Sequence, residues 1–293
     1  MNELAAWSRL MKTAFCVLLS LVMTSNCSAG LIADSGFVTD VYYGHNGHGH
    51  GDVVAANNDH RFDIHSSRVQ VFDDALEFTI VTNFAATPTA LNARLGDLFF
   101  SVDGWDPNGT PADNYLFDNA ATGTTWTHAI TLNGTPNSNG SALPASGDGA
   151  LYDLRGLDST AYNSAILTST EVWTSGGTIR DGQEVRLDTN GLTSLNDLTT
   201  TANWALGQVD VDGVMKDALM IVLNGDIFAK LGLSSSSSFD LAYHWAMTCG
   251  NDTVESELRY EAPLGDPGTV PEPATAAIFA LGMLGAGLVR RRR

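Results

Sequence analysis

The chain has 293 residues, 44% of them hydrophobic and 16% charged, and a formal net charge of −18 at neutral pH. Residues 30–269 alone hold 31 of the 33 acidic and 9 of the 15 basic side chains, a net charge of −22. Such a surface repels phosphate backbones and anionic headgroups, which excludes nucleic-acid binding and leaves solubility or cation capture as its use.

At the N-terminus Lys12 precedes an apolar run over residues 14–23, and Ser28, Ala29 and Gly30 supply small side chains after it. A basic residue, a greasy core and a small-residue exit are the layout of a secretory signal peptide. Residues 1–29 are therefore expected to leave on export, with cleavage after Ala29 and either Met1 or Met11 as the start. Lipid attachment at Cys27 is the alternative, but Thr24, Ser25 and Asn26 before it do not resemble a lipobox. With Cys16 and Cys27 in the signal, Cys249 stays alone and no internal disulfide is expected. A body of about 240 residues can bury enough apolar surface to fold without such staples.

The first polar motif of the exported part is His45-Asn46-Gly47-His48-Gly49-His50-Gly51-Asp52, with Asp59 and His60 close behind. Imidazoles spaced by glycines can wrap zinc, copper or nickel, because glycine permits the turns. His45, His48 and His50 are the candidate ligands, with Asp52 or His60 as a fourth. The competing reading is a solvated Gly/His loop, and no HExxH frame for catalysis is present.

From there the chain reads as β. Runs rich in Val, Ile, Phe, Tyr, Trp and Thr are expected to form strands over residues 37–43, 68–71, 76–84, 97–102, 125–132, 150–154, 165–173, 183–189, 203–211, 219–224, 239–249 and 255–261. Between them stand turn signals such as Asp103-Gly104, Asn133-Gly134, Asp181-Gly182, Asp212-Gly213 and Asn224-Gly225. Residues 226–231 carry a helical turn or two. Within 239–249, Phe239, Leu241, Tyr243, Trp245 and Met247 alternate with Asp240, Ala242, His244, Ala246 and Thr248, so period two puts the large apolar set on one face. Many short strands with frequent turns point to an all-β fold, a two-sheet β-sandwich or jelly roll over residues 30–261.

Asp103, Asp106 and Asn108, the Asp210/Asp212 pair, and Asn251-Asp252 are hard oxygen clusters of the kind that bind calcium. They lack EF-hand spacing, and turns need the same residues, so turn chemistry accounts for most of them. Nucleophilic catalysis has no motif: there is no GxSxG, and Cys249 ends an apolar strand as a buried thiol. Trp105, Tyr115, Trp126 and Trp173 could stack on sugar rings, with core packing as the simpler role. Paired carboxylates for glycoside hydrolysis need not be close in sequence, so none is selected.

The chain closes with Val270-Pro271-Glu272-Pro273, an uncharged apolar run over residues 274–289, and Arg290, Arg291, Arg292 and Arg293. Arginines prefer the cytoplasmic side, which would hold all that precedes them outside. The apolar run has 16 residues, short against the roughly 20 of a lasting span. The arrangement of Pro-Glu-Pro, apolar helix and basic cluster resembles the PEP-CTERM sorting tail. The stretches Gly96-Asp97-Leu98-Phe99-Phe100-Ser101 with Trp105, and Tyr243 through Asp252, are similar to pieces of PEP-CTERM ectodomains. The resemblance implies recognition by an exosortase, cleavage near Pro271, Glu272 and Pro273, and delivery to the cell surface or extracellular matrix. A plain C-terminal transmembrane anchor is the competing reading of the tail.

The expected organisation is a signal peptide (1–29), the β ectodomain (30–261), a linker (262–269) and the sorting tail (270–293). The expected function is that of a non-catalytic surface or matrix protein that binds extracellular polysaccharide. A secreted polysaccharide hydrolase is the alternative. The expected partners are the exosortase, the membrane before processing, and polysaccharide.

Overall fold

Asp212 and Gly213 close the longest hairpin among the described residues. Both have positive φ, 53° and 83°, the conformation that a two-residue turn between right-twisted strands demands. The Asp210 carboxylate fixes the turn by accepting from Gly213 N–H at 2.7 Å. The two arms, Thr200–Val211 and Val214–Gly225, pair over their full length with Val211 opposite Val214.

The structure, a computed structural model, describes residues 30–42, 60–86, 93–132, 145–173 and 180–262. The strands are β1 (Leu31–Asp34), β2 (Val38–Thr39), β3 (Ile64–Phe72), β4 (Ala75–Thr82), β5 (Leu95–Ser101), β6 (His128–Leu132), β7 (Ser146–Asp153), β8 (Ile166–Thr168), β9 (Glu184–Leu187), β10 and β11 (the hairpin above), β12 (Phe239–Met247) and β13 (Thr253–Tyr260). Three short helices join them: α1 (Ser159–Ala165), α2 (Ser169–Val172) and α3 (Ile227–Leu231). The chain divides after Tyr260 into two units, and of the second only residues 261 and 262 are described.

The all-β class is as expected, but the strands are not shared between two sandwiched sheets: all but β8 and β9 belong to one. Ten strands follow one hydrogen-bonded path, β1-β3-β4-β11-β10-β7-β6-β5-β12-β13, with β2 beside β3. The sheet rolls until its ends approach: β13 returns alongside β3, Ser67 Oγ and Tyr243 OH meet at 2.7 Å, and Ile64 N–H donates to Asp252 at 2.6 Å. The inside of the roll is the main core, with Phe78, Phe100, Trp204, Ile221, Tyr243 and Trp245 all fully buried. Burying each contributes on the order of 1.5–3 kcal/mol before entropy is subtracted.

A second core lies on the outside. The small β8–β9 sheet and α1 cover Phe99, Trp126, Leu154 and Ala242. Strand β12 is therefore buried on both faces from Leu241 to Met247, and its small side chains reflect the cover. Gly96 shows how close the layers come: a Cβ there would lie 2.0 Å from Ala246 O and 2.8 Å from Val185 O. Asp97 stitches the layers by accepting from Leu132 N–H at 3.0 Å and Leu187 N–H at 2.8 Å.

The strand expected over 165–173 is broken. After Ile166–Thr168 the chain turns into α2, because the Glu171 carboxylate accepts from both Thr168 N–H (2.8 Å) and Thr168 Oγ–H (2.9 Å), the Thr-x-x-Glu start of a helix. Of the strand expected over 37–43, pairing among the described residues, which end at Tyr42, is confined to Val38–Thr39. Among the described residues no helix is long and apolar enough to cross a membrane; the expected span over 274–289 lies outside the described residues.

Candidate functional site

An open groove runs over residues 124–127, just before β6. It consists of two adjoining hollows of about 360 and 480 Å3 that share Asp103, Gly123, Thr124, Thr125 and Thr127. One hollow is walled by Trp105, Asp106, Asp240 and Arg259, the other by Trp126, Arg155, Tyr162 and Asn163. Helix α1 makes the second wall because Asp158 caps it, accepting from Thr160 and Ala161 N–H at 3.0 and 2.9 Å. Tyr162 OH, on that helix, accepts from Trp126 N–H at 2.7 Å, which clamps wall to floor.

The first wall rests on an irregular loop. Asn114 and Tyr115 have positive φ, 52° and 58°, a strained arrangement for non-glycine residues. The Tyr115 ring meets Trp105 at 4.9 Å and Tyr42 at 6.0 Å. Asp118 pins the loop, accepting from Asn108 N–H and Tyr42 O–H, each at 2.9 Å. Gly123 leaves it room, since a Cβ there would come within 2.2 Å of Asp118 Oδ1.

Behind the floor lies a buried polar cluster. His244 sits between two glutamates, with Nδ1 3.2 Å from Glu255 Oε2, and Nε2 2.9 Å from Glu184 O and 3.8 Å from Glu184 Oε2. The other oxygens of those carboxylates face the groove floor: Glu255 Oε1 accepts from Trp105 Nε1–H (2.6 Å) and Thr124 Oγ–H (3.1 Å), and Glu184 Oε1 from Trp126 Nε1–H (2.9 Å). Burial alone would strip the proton from His244, but the two carboxylates outweigh it and raise its pKa to about 9. Burial raises Glu184. Asp118 is pushed up to about 7, first by burial and then by the charge of Glu255. Tyr42 is held well above its ordinary value, mainly by burial.

The cluster anchors three groove residues, Trp105, Thr124 and Trp126, through their hydrogen-bonding atoms, and half-buried Trp105 lines the groove. Glu184 and Glu255 are 4% and 2% exposed at the side chain, so their carboxyls are turned into the cluster rather than toward solvent. None of Glu184, Glu255 or Asp118 is singled out by sequence spacing. The one local trace is His244, a titratable residue among alanines on the second face of β12.

A comparison with protein-family models matches residues 269–293 to the PEP-CTERM protein-sorting motif. The chain carries a PEP-CTERM sorting tail. Searches of curated proteins and of solved structures each gave no match. The PEP-CTERM tail marks an exported protein that an exosortase processes. Its Pro271, Glu272 and Pro273, and Arg290 to Arg293, fall within the matched segment and outside the described residues.

The candidate metal ligands His45, His48 and His50 also lie outside the described residues, as do Asp52 and Asp59. Among the described residues no three His, Cys, Asp or Glu side chains gather as a metal-holding group. Within two of the suspected calcium clusters, Asp210 fixes the hairpin turn and Asp252 pairs with Arg180; Asp103 and Asp106 of the third lie exposed on the groove. Trp126 is buried as core, whereas Trp105 and Tyr115 are half-exposed beside the groove. Cys249 is buried, as expected, and burial lifts its thiol to about 12.

Proposed function

We propose that this PEP-CTERM protein is a non-catalytic ectodomain, attached briefly to the membrane by its tail, cut by the exosortase within residues 270–273, and left at the cell surface or in the matrix to bind exopolysaccharide. The observation that carries the export and sorting steps is the motif match over residues 269–293. What supports the binding step is the groove with Trp105 on its wall. What supports a non-catalytic role is the sheltering of Glu184 and Glu255 behind that wall.

Two measurements test this. Mass spectrometry of the surface-released protein should show a C-terminus between Val270 and Pro273. Intact chains ending at Arg293 and held in the membrane would replace sorting by simple anchoring. A broad glycan panel should give binding, while incubation with the glycans that bind should release no reducing ends. Reducing ends released in proportion to enzyme concentration would establish the hydrolase reading instead.

A further inference from the structure

The chemistry of the groove narrows the glycan. Each hollow lies within the range of about 300–1,000 Å3 that small-molecule sites occupy, and their shared floor makes them continuous. Trp105 spends its N–H on Glu255, so what remains for a ligand is the part of its ring that Tyr115, at 4.9 Å, does not cover. The two arginines on the groove are committed elsewhere: Arg155 is bidentate to Asp153 at 2.9 and 2.7 Å, and Arg259 pairs with Glu257 at 2.9 Å. Asp103, Asp106 and Asp240 are exposed on the groove walls and, among the described residues, make no close ion pair, although Asp103 acts on Arg155 and Asp240 on Arg259 through space.

We propose that this groove is a subsite for glycans bearing free amino groups, the sugar ring stacking on Trp105 and its ammonium pairing with the wall aspartates. The proposal rests on the polysaccharide reading above. An ammonium over an indole gains from the negative ring face and from the nearby carboxylates. A uronate would meet three wall aspartates and Glu257 against two arginines, Arg155 and Arg259, which among the described residues are already paired with Asp153 and Glu257.

The test is calorimetric titration of the full-length protein in detergent with glucosamine oligomers, their N-acetylated counterparts and oligogalacturonate. Glucosamine oligomers should bind, the N-acetylated form about tenfold more weakly, and oligogalacturonate not at all. Trp105→Ala should weaken binding about tenfold or more. Because that variant also disturbs buried Glu255, the double variant Asp106→Asn with Asp240→Asn is read beside it. It touches only exposed side chains, and it should remove the preference for the free amine while leaving the melting temperature unchanged. Glucosamine oligomers bound equally by wild type and both variants would overturn the groove assignment and leave the polysaccharide reading intact. A preference for galacturonate or the N-acetylated form, or no binding of glucosamine oligomers, would overturn the proposed class. The polysaccharide reading itself falls only if a broad glycan panel is also blank.

Discussion

Replacing Arg180 by Met is expected to lower the unfolding free energy by about 3–5 kcal/mol, because it strands a buried carboxylate. Arg180 and Asp252 are both 0% exposed at the side chain and pair at 3.3 Å. The guanidinium also donates to Asn251 O, and the backbone N–H of Arg180 donates to Gly250 O at 3.0 Å. On the other side, Asp252 accepts from Ile64 N–H at 2.6 Å. One ion pair thus joins the chain before β9, the turn between β12 and β13, and the start of β3, where the rolled sheet comes back on itself. For a domain of this size the loss corresponds to a fall in Tm of about 10 °C. Urea unfolding of the single variant, and of Arg180→Met with Asp252→Asn, checks the cause. The second change removes the stranded charge and keeps an acceptor for Ile64, so it should restore part of the loss. A single variant within 1 kcal/mol of wild type would mean that the pair holds nothing together.

The second large effect is a loss of stability between about pH 6.5 and 9. His244 has its folded pKa raised from 6.5 to about 9. A raised histidine binds its proton more tightly folded than unfolded, so its contribution is complete below pH 6.5 and disappears as pH rises through 9. The shift is worth about 3 kcal/mol for a group this buried. Asp118, raised to about 7, acts in the same direction at the lower edge of the window. Below pH 6.5 the signs mix. His128 is lowered to about 4, chiefly by burial, and it costs stability as pH falls, while the raised carboxylates add it. Thermal melts across pH 6.5 to 9 should therefore fall steadily, and His244→Gln should flatten that slope while also lowering stability at pH 6.5. An unchanged slope in the variant would place the titrating group elsewhere. Because Glu255 holds Trp105 and Thr124, near-ultraviolet circular dichroism of the tryptophans should change over the same pH range.

Much of the fold is legible in the sequence because a strand announces itself locally. Residues 68–71, 97–102, 203–211 and 219–224 fall within or against observed strands, and Asp212-Gly213 names its own hairpin. Short helices leave less trace. Helix α1 has seven residues and one sequence signal, its capping Asp158. The turn at Thr168 overrides the β-branched run around it through a single glutamate.

The candidate site is far less legible. Trp105 and Glu255 are 150 residues apart, Trp126 and Glu184 58, and Tyr42 and Asp118 76, so no spacing rule joins them. The sequence by itself determined most of the strand segments, the acidic charge and the sorting tail, since each depends on side-chain periodicity, charge count or contiguous motif. Tertiary structure alone decided that the strands form one rolled sheet, that β8 and β9 cover its outer face, and that His244 lies between Glu184 and Glu255. Alternation reports one buried face of a strand and is silent on what covers the other, and a charge becomes buried only through partners brought from far along the chain.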